Sequence, residues 1–298
     1  MKQSKLLTFT ALAASLYVAS ASAAFVPLPS GVAILEDDNV EFVRDSTGAL
    51  KTSGALVAGD TLWAFVTFDK VQDGSSNTIT ELGAPGLEVT GISAIEIHAI
   101  SGTGVITFKP NATFEGTYGA GAMAALFSEG VGDFDTSCNS GVSPANIAAC
   151  MAAATDGASW LTAGFADADD FWIAAPDAVF GASLADVGLA SVAGATSKLG
   201  VANYALSILS NGTGYQFNEQ FSAGSATLGS LGVGGADSMT DILGSGDILG
   251  GLGLDAPFFA RSDFDFQLDR IPVPEPNTLA IFGIGLLAAG AAARRRKS

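Results

Sequence analysis

Asp263-Phe264-Asp265-Phe266-Gln267-Leu268-Asp269 alternates polar and apolar residues without a break. Successive side chains of a strand point to opposite faces, so Phe264, Phe266 and Leu268 turn to a core and the acids turn to water. Upstream, Thr61-Leu-Trp-Ala-Phe-Val-Thr-Phe68 is β-branched, aromatic and largely apolar, as a buried strand requires. Ile95-Glu-Ile-His-Ala99 alternates again, placing Ile95, Ile97 and Ala99 inward and Glu96 and His98 outward. Ser101-Gly-Thr-Gly104 turns it into Val105-Ile-Thr-Phe108 as a hairpin. A second hairpin is predicted from Ala202, Tyr204, Leu206 and Ile208, a turn at Asn211-Gly-Thr-Gly214, and a return through Tyr215, Phe217 and Phe221. Short strands and 37 glycines in 298 residues point to a mainly β fold, an antiparallel sandwich or barrel. The expected domain is an antiparallel β-sandwich-like one spanning residues 24–272.

Two stretches interrupt that pattern. Ser143-Pro144 supplies an N-cap and a first-turn proline, and Ala145 to Ala154 is rich in alanine. Residues 130–170 therefore read as a short helical insertion, with Ala158 to Gly164 adding another turn or two. Residues 224–256 are a low-complexity run of Gly, Leu, Ser and Ala, in which Asp241-Ile-Leu-Gly-Ser-Gly is echoed by Asp247-Ile-Leu-Gly-Gly-Leu. Such a composition predicts a Gly-rich loop between the last two strands.

Charge and rare residues narrow the function. With 13 basic against 30 acidic residues, the net charge is −17 and the surface repels a phosphate backbone, so nucleic acid is not a partner. A single histidine, His98, cannot supply both a triad base and a metal site, and no G-x-S-x-G occurs. Pairs of carboxylates are so frequent here that one suited to glycoside hydrolysis would arise by chance. The chain is therefore read as no enzyme. Asp167, Asp169 and Asp170 offer hard oxygen ligands for Ca²⁺ in one loop, and Asp133 and Asp135 in another, but neither follows the EF-hand spacing. Cys138 and Cys150, the two cysteines of the chain, are expected to pair if the chain is exported.

Both ends carry targeting signals. Met1-Lys-Gln-Ser-Lys5 precedes an apolar run from Leu6 to Val18 and the small residues Ala21-Ser22-Ala23. That is the layout of a secretory signal peptide over residues 1–23, cut by signal peptidase between Ala23 and Ala24. At the other end Val273-Pro274-Glu275-Pro276 leads into an apolar run from Leu279 to Ala293 and then Arg294, Arg295, Arg296 and Lys297. The run would make a short transmembrane helix, with the basic cluster held in the cytoplasm and the preceding chain outside. Pro-Glu-Pro, a short apolar helix and a terminal arginine cluster, in that order, resemble the PEP-CTERM sorting signal of Gram-negative bacteria.

The resemblance covers residues 273–298. It implies transient anchoring in the inner membrane, cleavage by an exosortase, and delivery to the cell surface or the extracellular polymer layer. It further implies a surface or matrix protein associated with exopolysaccharide or biofilm. From the residues themselves, a glycan-binding module with or without Ca²⁺ is the alternative, with the acids and aromatics of Asp167 to Trp172 as its contact loop. A secreted hydrolase is a third reading.

Overall fold

The computed structural model describes residues 24–83, 86–130, 132, 134, 147–167, 169–177, 188–219, 221–222, 239–252, 254 and 257–272. Among these residues fourteen strands run β1 (Gly31–Arg44), β2 (Leu50–Lys51), β3 (Thr61–Asp73), β4 (Thr78–Glu81), β5 (Glu88–Ile100), β6 (Ile106–Pro110), β7 (Ala122–Glu129), β8 (Ala158–Gly164), β9 (Phe171–Pro176), β10 (Lys198–Asn211), β11 (Phe221–Ser222), β12 (Met239–Thr240), β13 (Ile242–Gly250) and β14 (Ala260–Arg270). Among the described residues the helices are α1 (Ala112–Tyr118), α2 (Ile147–Ala153) and α3 (Leu189–Ala193). The signal peptide of residues 1–23 and the sorting segment of residues 273–298 lie outside the described residues. Among the described residues no helix is long and apolar enough to cross a membrane.

The mainly β, antiparallel expectation is met, but the strands do not split into two open sheets. Pairing runs β3–β1–β14–β13–β10–β8–β7–β5, and β5 pairs back onto β3, so the sheet closes on itself. Two strands of this ring are long enough to be shared. Residues Glu88–Ser93 of β5 pair with β7, while Ile95–Ile100 pair with β6. On β10, Ser207–Asn211 pair with β8 and Gly200–Ala205 with β9. The sandwich-like layering is thus replaced by a barrel, which leaves no unpaired edge within the ring.

Apolar residues cluster on both sides of the wall. Leu35, Phe68, Ile97, Leu126, Tyr204, Phe266 and Leu268 belong to the cluster that fills the barrel. Val40, Phe42, Phe65, Ile92 and Phe127 form a second core on the outer face, covered by Phe114 of α1 and by Ile147 and Cys150 of α2. Asn111 caps α1 by accepting from the Thr113 and Phe114 N–H groups, and its amide donates to Thr61 Oγ1 at 3.1 Å. That contact ties the covering helix to the strand beneath it.

Several local readings change. Ala158 to Gly164 is strand β8, not helix, because it is paired between β7 and β10, where Gly164 packs against Gly121: a Cβ on Gly164 would fall 2.0 Å from the Gly121 carbonyl oxygen. Of the Gly-rich loop, residues 242–250 form strand β13 between β10 and β14. Two of its glycines are required by the rings that cross it. A Cβ on Gly244 would lie 1.9 Å from the Tyr204 ring, and one on Gly246 2.0 Å from the Phe264 ring. Gly246→Ala should therefore cost about 1–3 kcal/mol or more in urea unfolding. Gly102→Ala, where no atom lies within 4 Å, should leave the midpoint unchanged.

The hairpin at Ser101–Gly104 forms, with the Ser101 N–H donating to the Val105 carbonyl at 2.8 Å. A bulge between Ile97 and Ala99 turns Ala99 outward, against its expected inward place. The second hairpin does not form. Both edges of β10 are already taken, by β13 on one side and by β8 and β9 on the other. Residues 215–218 instead dock on the end of β14: Phe217 bridges Arg270, and the Asn218 N–H donates to the Asp269 carbonyl at 2.8 Å.

Candidate functional site

Strand β1 decides the chemistry of the interior. Its odd residues face inward: Ala33, Leu35 and Val43 join the core, and between them Asp37, Asn39 and Glu41 are also buried. Across the strand pair, Asn39 faces Ser262 of β14 and Asp37 faces Phe264. The Asn39 amide donates to Asp37 Oδ1 and to Ser262 Oγ, each at 3.2 Å. The Ser262 hydroxyl donates in turn to Glu41 Oε1, and the Phe264 N–H donates to Asp37 Oδ1 at 2.8 Å. This polar row lines one wall of a cavity of about 100 Å³ whose other walls include Val66, Ile95, Leu126, Trp172, Tyr204 and Phe264.

Burial dominates the electrostatics. It pushes Glu41 up to about 7, against the lowering effect of the Ser262 hydrogen bond. It holds Asp37 well above the ordinary carboxylate range, against the Phe264 N–H and the Asn39 amide. The Tyr204 hydroxyl is also raised, by burial first and by Asp37 second. Two oxygens remain unpartnered among the buried side chains of this wall, Asn39 Oδ1 and Glu41 Oε2. The period-two reading did not single out these residues, although polar side chains at i, i+2 and i+4 of an otherwise apolar strand face were the available signal.

The outer face of the same strands is acidic. Glu36 lies opposite Asp265, and Asp38 opposite Asp263, which in turn faces Asp247 across β13. Like charges directly opposite one another destabilise an antiparallel pair. Asp38, Asp263 and Asp265 are raised, by burial first and by neighbouring acids next. Lys70 and Lys198 offset part of this charge, pairing with Glu36 at 2.6 Å and with Asp247 at 2.5 Å. An outward row of acids at mid-strand is no surface for lipid.

The residues singled out from sequence are placed as follows. Asp170 accepts from the N–H groups of Ala166 and Asp167, at 2.5 and 3.1 Å, and from the Ser207 hydroxyl, so its carboxylate closes its own loop. Asp167 lies beside Asp169 and raises it to about 6, first through a shared side-chain hydrogen bond. Among the described residues no group of three or more His, Cys, Asp or Glu side chains is placed to hold a metal ion. Trp172, the aromatic of the suggested glycan loop, is 7% exposed and packs on Tyr204 with ring centroids 4.7 Å apart. It faces the barrel interior and offers no sugar-stacking surface. His98 is exposed on β5, as its alternation implied. Cys150 is buried on α2, while Cys138, Asp133 and Asp135 lie outside the described residues.

The first and last strands of the barrel begin and end side by side. Gly31 and Arg270 are cross-strand partners at the start of β1 and the end of β14. The Arg270 guanidinium stacks on the Tyr215 ring at 4.2 Å and donates to the Leu28 carbonyl. Val26 and Leu28, just after the expected cleavage point, are buried in the barrel core. No curated protein and no solved structure matches the chain. Two residues beyond the end of β14, residues 272–297 match the model of the PEP-CTERM protein-sorting motif, and the chain thus carries a signal for exosortase-dependent sorting to the cell surface.

Proposed function

We propose that the barrel is the cargo of this sorting route: a non-enzymatic surface or matrix protein associated with exopolysaccharide. The observation that carries the reading is the sorting motif at residues 272–297, adjoining a strand that completes the barrel. In this reading the signal peptide delivers the chain through the inner membrane, and the C-terminal helix holds it there until the exosortase cuts near Pro274 to Pro276. The shared exit of both ends at the Gly31–Arg270 pair supports it, because one end of a folded barrel can then face the membrane throughout. The acidic outer face suits a soluble extracellular protein that gathers cations diffusely. Exposure of the lone His98 on β5 lends no support to a Ser-His-Asp hydrolase.

Intact mass of the native protein from membrane and extracellular fractions tests the reading. The extracellular form should begin at Ala24, lack Arg294 to Lys297, and gain the mass of a pair of hydrogens on reduction as Cys138 and Cys150 are released. Replacing Pro274, Glu275 and Pro276 by alanine should leave the protein uncut in the membrane. Wild-type protein found only in membranes with its arginine cluster intact would overturn the proposal. Matrix association is checked by whether degrading the exopolysaccharide releases the mature form.

A further inference from the structure

The sorting role makes no use of the cavity inside the barrel, and its walls define what it would admit. Eight strands close around it, each paired on both edges, so the wall cannot move inward to fill the space. The space opens where the side chains are small. Ala174 of β9 lies opposite Ala202 of β10, Ala124 of β7 adds a third methyl group, and all three are buried in the lining. One pleat further on, Trp172 lies opposite Tyr204 with ring centroids 4.7 Å apart, so rings bound the room that the methyl groups leave. The surface this room offers is almost wholly carbon. The polar row of β1 is turned on itself: the Asn39 amide donates to Asp37 and Ser262, the Ser262 hydroxyl to Glu41, and the Phe264 N–H to Asp37. Asn39 Oδ1 and Glu41 Oε2 have no open surface, and the Tyr204 hydroxyl donates away to the Asp265 carbonyl at 3.3 Å. Burial raises Asp37 and Glu41, so below about pH 7 the row brings little charge to the wall.

We propose that the barrel interior binds a small uncharged hydrocarbon, held against Val66, Ile95, Leu126 and the ring of Trp172. Water occupies a buried space only where it finds about two to four polar partners, and these walls do not supply them. A hydroxyl or an ammonium group would give up its water partners on entry and find no replacement, whereas a hydrocarbon gives up none. At about 100 Å³ the space is smaller than the roughly 150 Å³ cavity that takes benzene, so the occupant is limited to about four to six carbons. Closed eight-stranded barrels either fill with side chains or hold one small ligand, and this one leaves room for the second. The inference is independent of where the protein is delivered.

Cyclopentane, cyclopentanol and cyclopentylamine, similar in size, test it on the purified exported protein at about pH 6, followed by tryptophan fluorescence and by melting temperature. Cyclopentane should bind saturably and raise the melting temperature by about 2–4 °C. The alcohol should bind at least about ten-fold more weakly, and the amine more weakly still. Ala202→Leu places a branched side chain in the space and should abolish cyclopentane binding. Should that variant misfold, wild-type crystals under xenon pressure decide the matter. Xenon among Val66, Ile95 and Leu126 sustains the proposal, and ordered waters in its place overturn it. No saturable binding of cyclopentane, an alcohol or amine that binds as tightly, or undiminished binding in a folded Ala202→Leu variant would each overturn it too.

Discussion

Acidifying the solution from about pH 8 to about pH 5 is expected to stabilise this protein, the reverse of ordinary acid behaviour. Glu41 sets the sign. Its folded-state value is raised from 4.5 to about 7, so between those values the folded chain holds a proton that the unfolded chain has lost. Stability then falls as pH rises through that window, by about 3 kcal/mol from this residue alone. Asp37 contributes in the same direction, since burial raises it too. The acids of the outer face add smaller effects of the same sign, muted by solvent. Asp45 and Asp73 are lowered by their own turn hydrogen bonds, but both are exposed and act only at more acid pH. Urea midpoints across this range measure the slope directly. Glu41→Gln should remove Glu41's share of it, leaving the slope that Asp37 carries, and should stabilise the protein at pH 8. A midpoint that rises with pH in the wild type would show that Glu41 is not buried as a neutral acid.

Phe42→Ala should cost about 3–5 kcal/mol, lowering the melting temperature by roughly 10 °C. Phe42 is fully buried on the outer face of β1, and its ring lies 6.2 Å from Trp63, 5.7 Å from Phe65 and 5.9 Å from Phe258. Trp63 in turn meets Phe114 of α1 edge-on at 5.9 Å. Truncating Phe42 leaves a void between the barrel wall and the helices that cover it, and neither side can collapse without breaking strand pairing. Phe25→Ala, at a ring 69% exposed, is the comparison and should shift the melting point little. A small effect at Phe42 would mean that the outer core contributes little to holding the barrel. The expected order is large for Phe42 and near zero for Phe25.

The readings that succeeded and failed share a cause. The strands at 95–97 and 263–269 were legible because one face of each is apolar and the other is not, and that at 61–68 because it is apolar nearly throughout, which is information carried within a single strand. Tyr215 and Phe217 alternate just as well, yet return to β14 and not to β10, because β10 already has neighbours on both edges. Gly244 and Gly246 looked like loop residues. Their role is fixed by Tyr204 and Phe264, 40 and 18 positions away, whose rings occupy the space a side chain would need.

By itself the sequence determined the sorting motif and the class of the middle. The sorting motif is a linear signal, recognised by order and spacing along the chain, and period-two alternation is equally local. Tertiary structure alone decided that the sheet closes, that Trp172 turns inward, and that Asp37, Asn39 and Glu41 face a cavity while Glu36 and Asp38 face water. Those outcomes depend on which strand lies beside which and in what register, and register is set by contacts between residues such as Asn39 and Ser262, 223 positions apart. Burial, and with it the protonation of Glu41, follows from that closure and from nothing nearer in the chain.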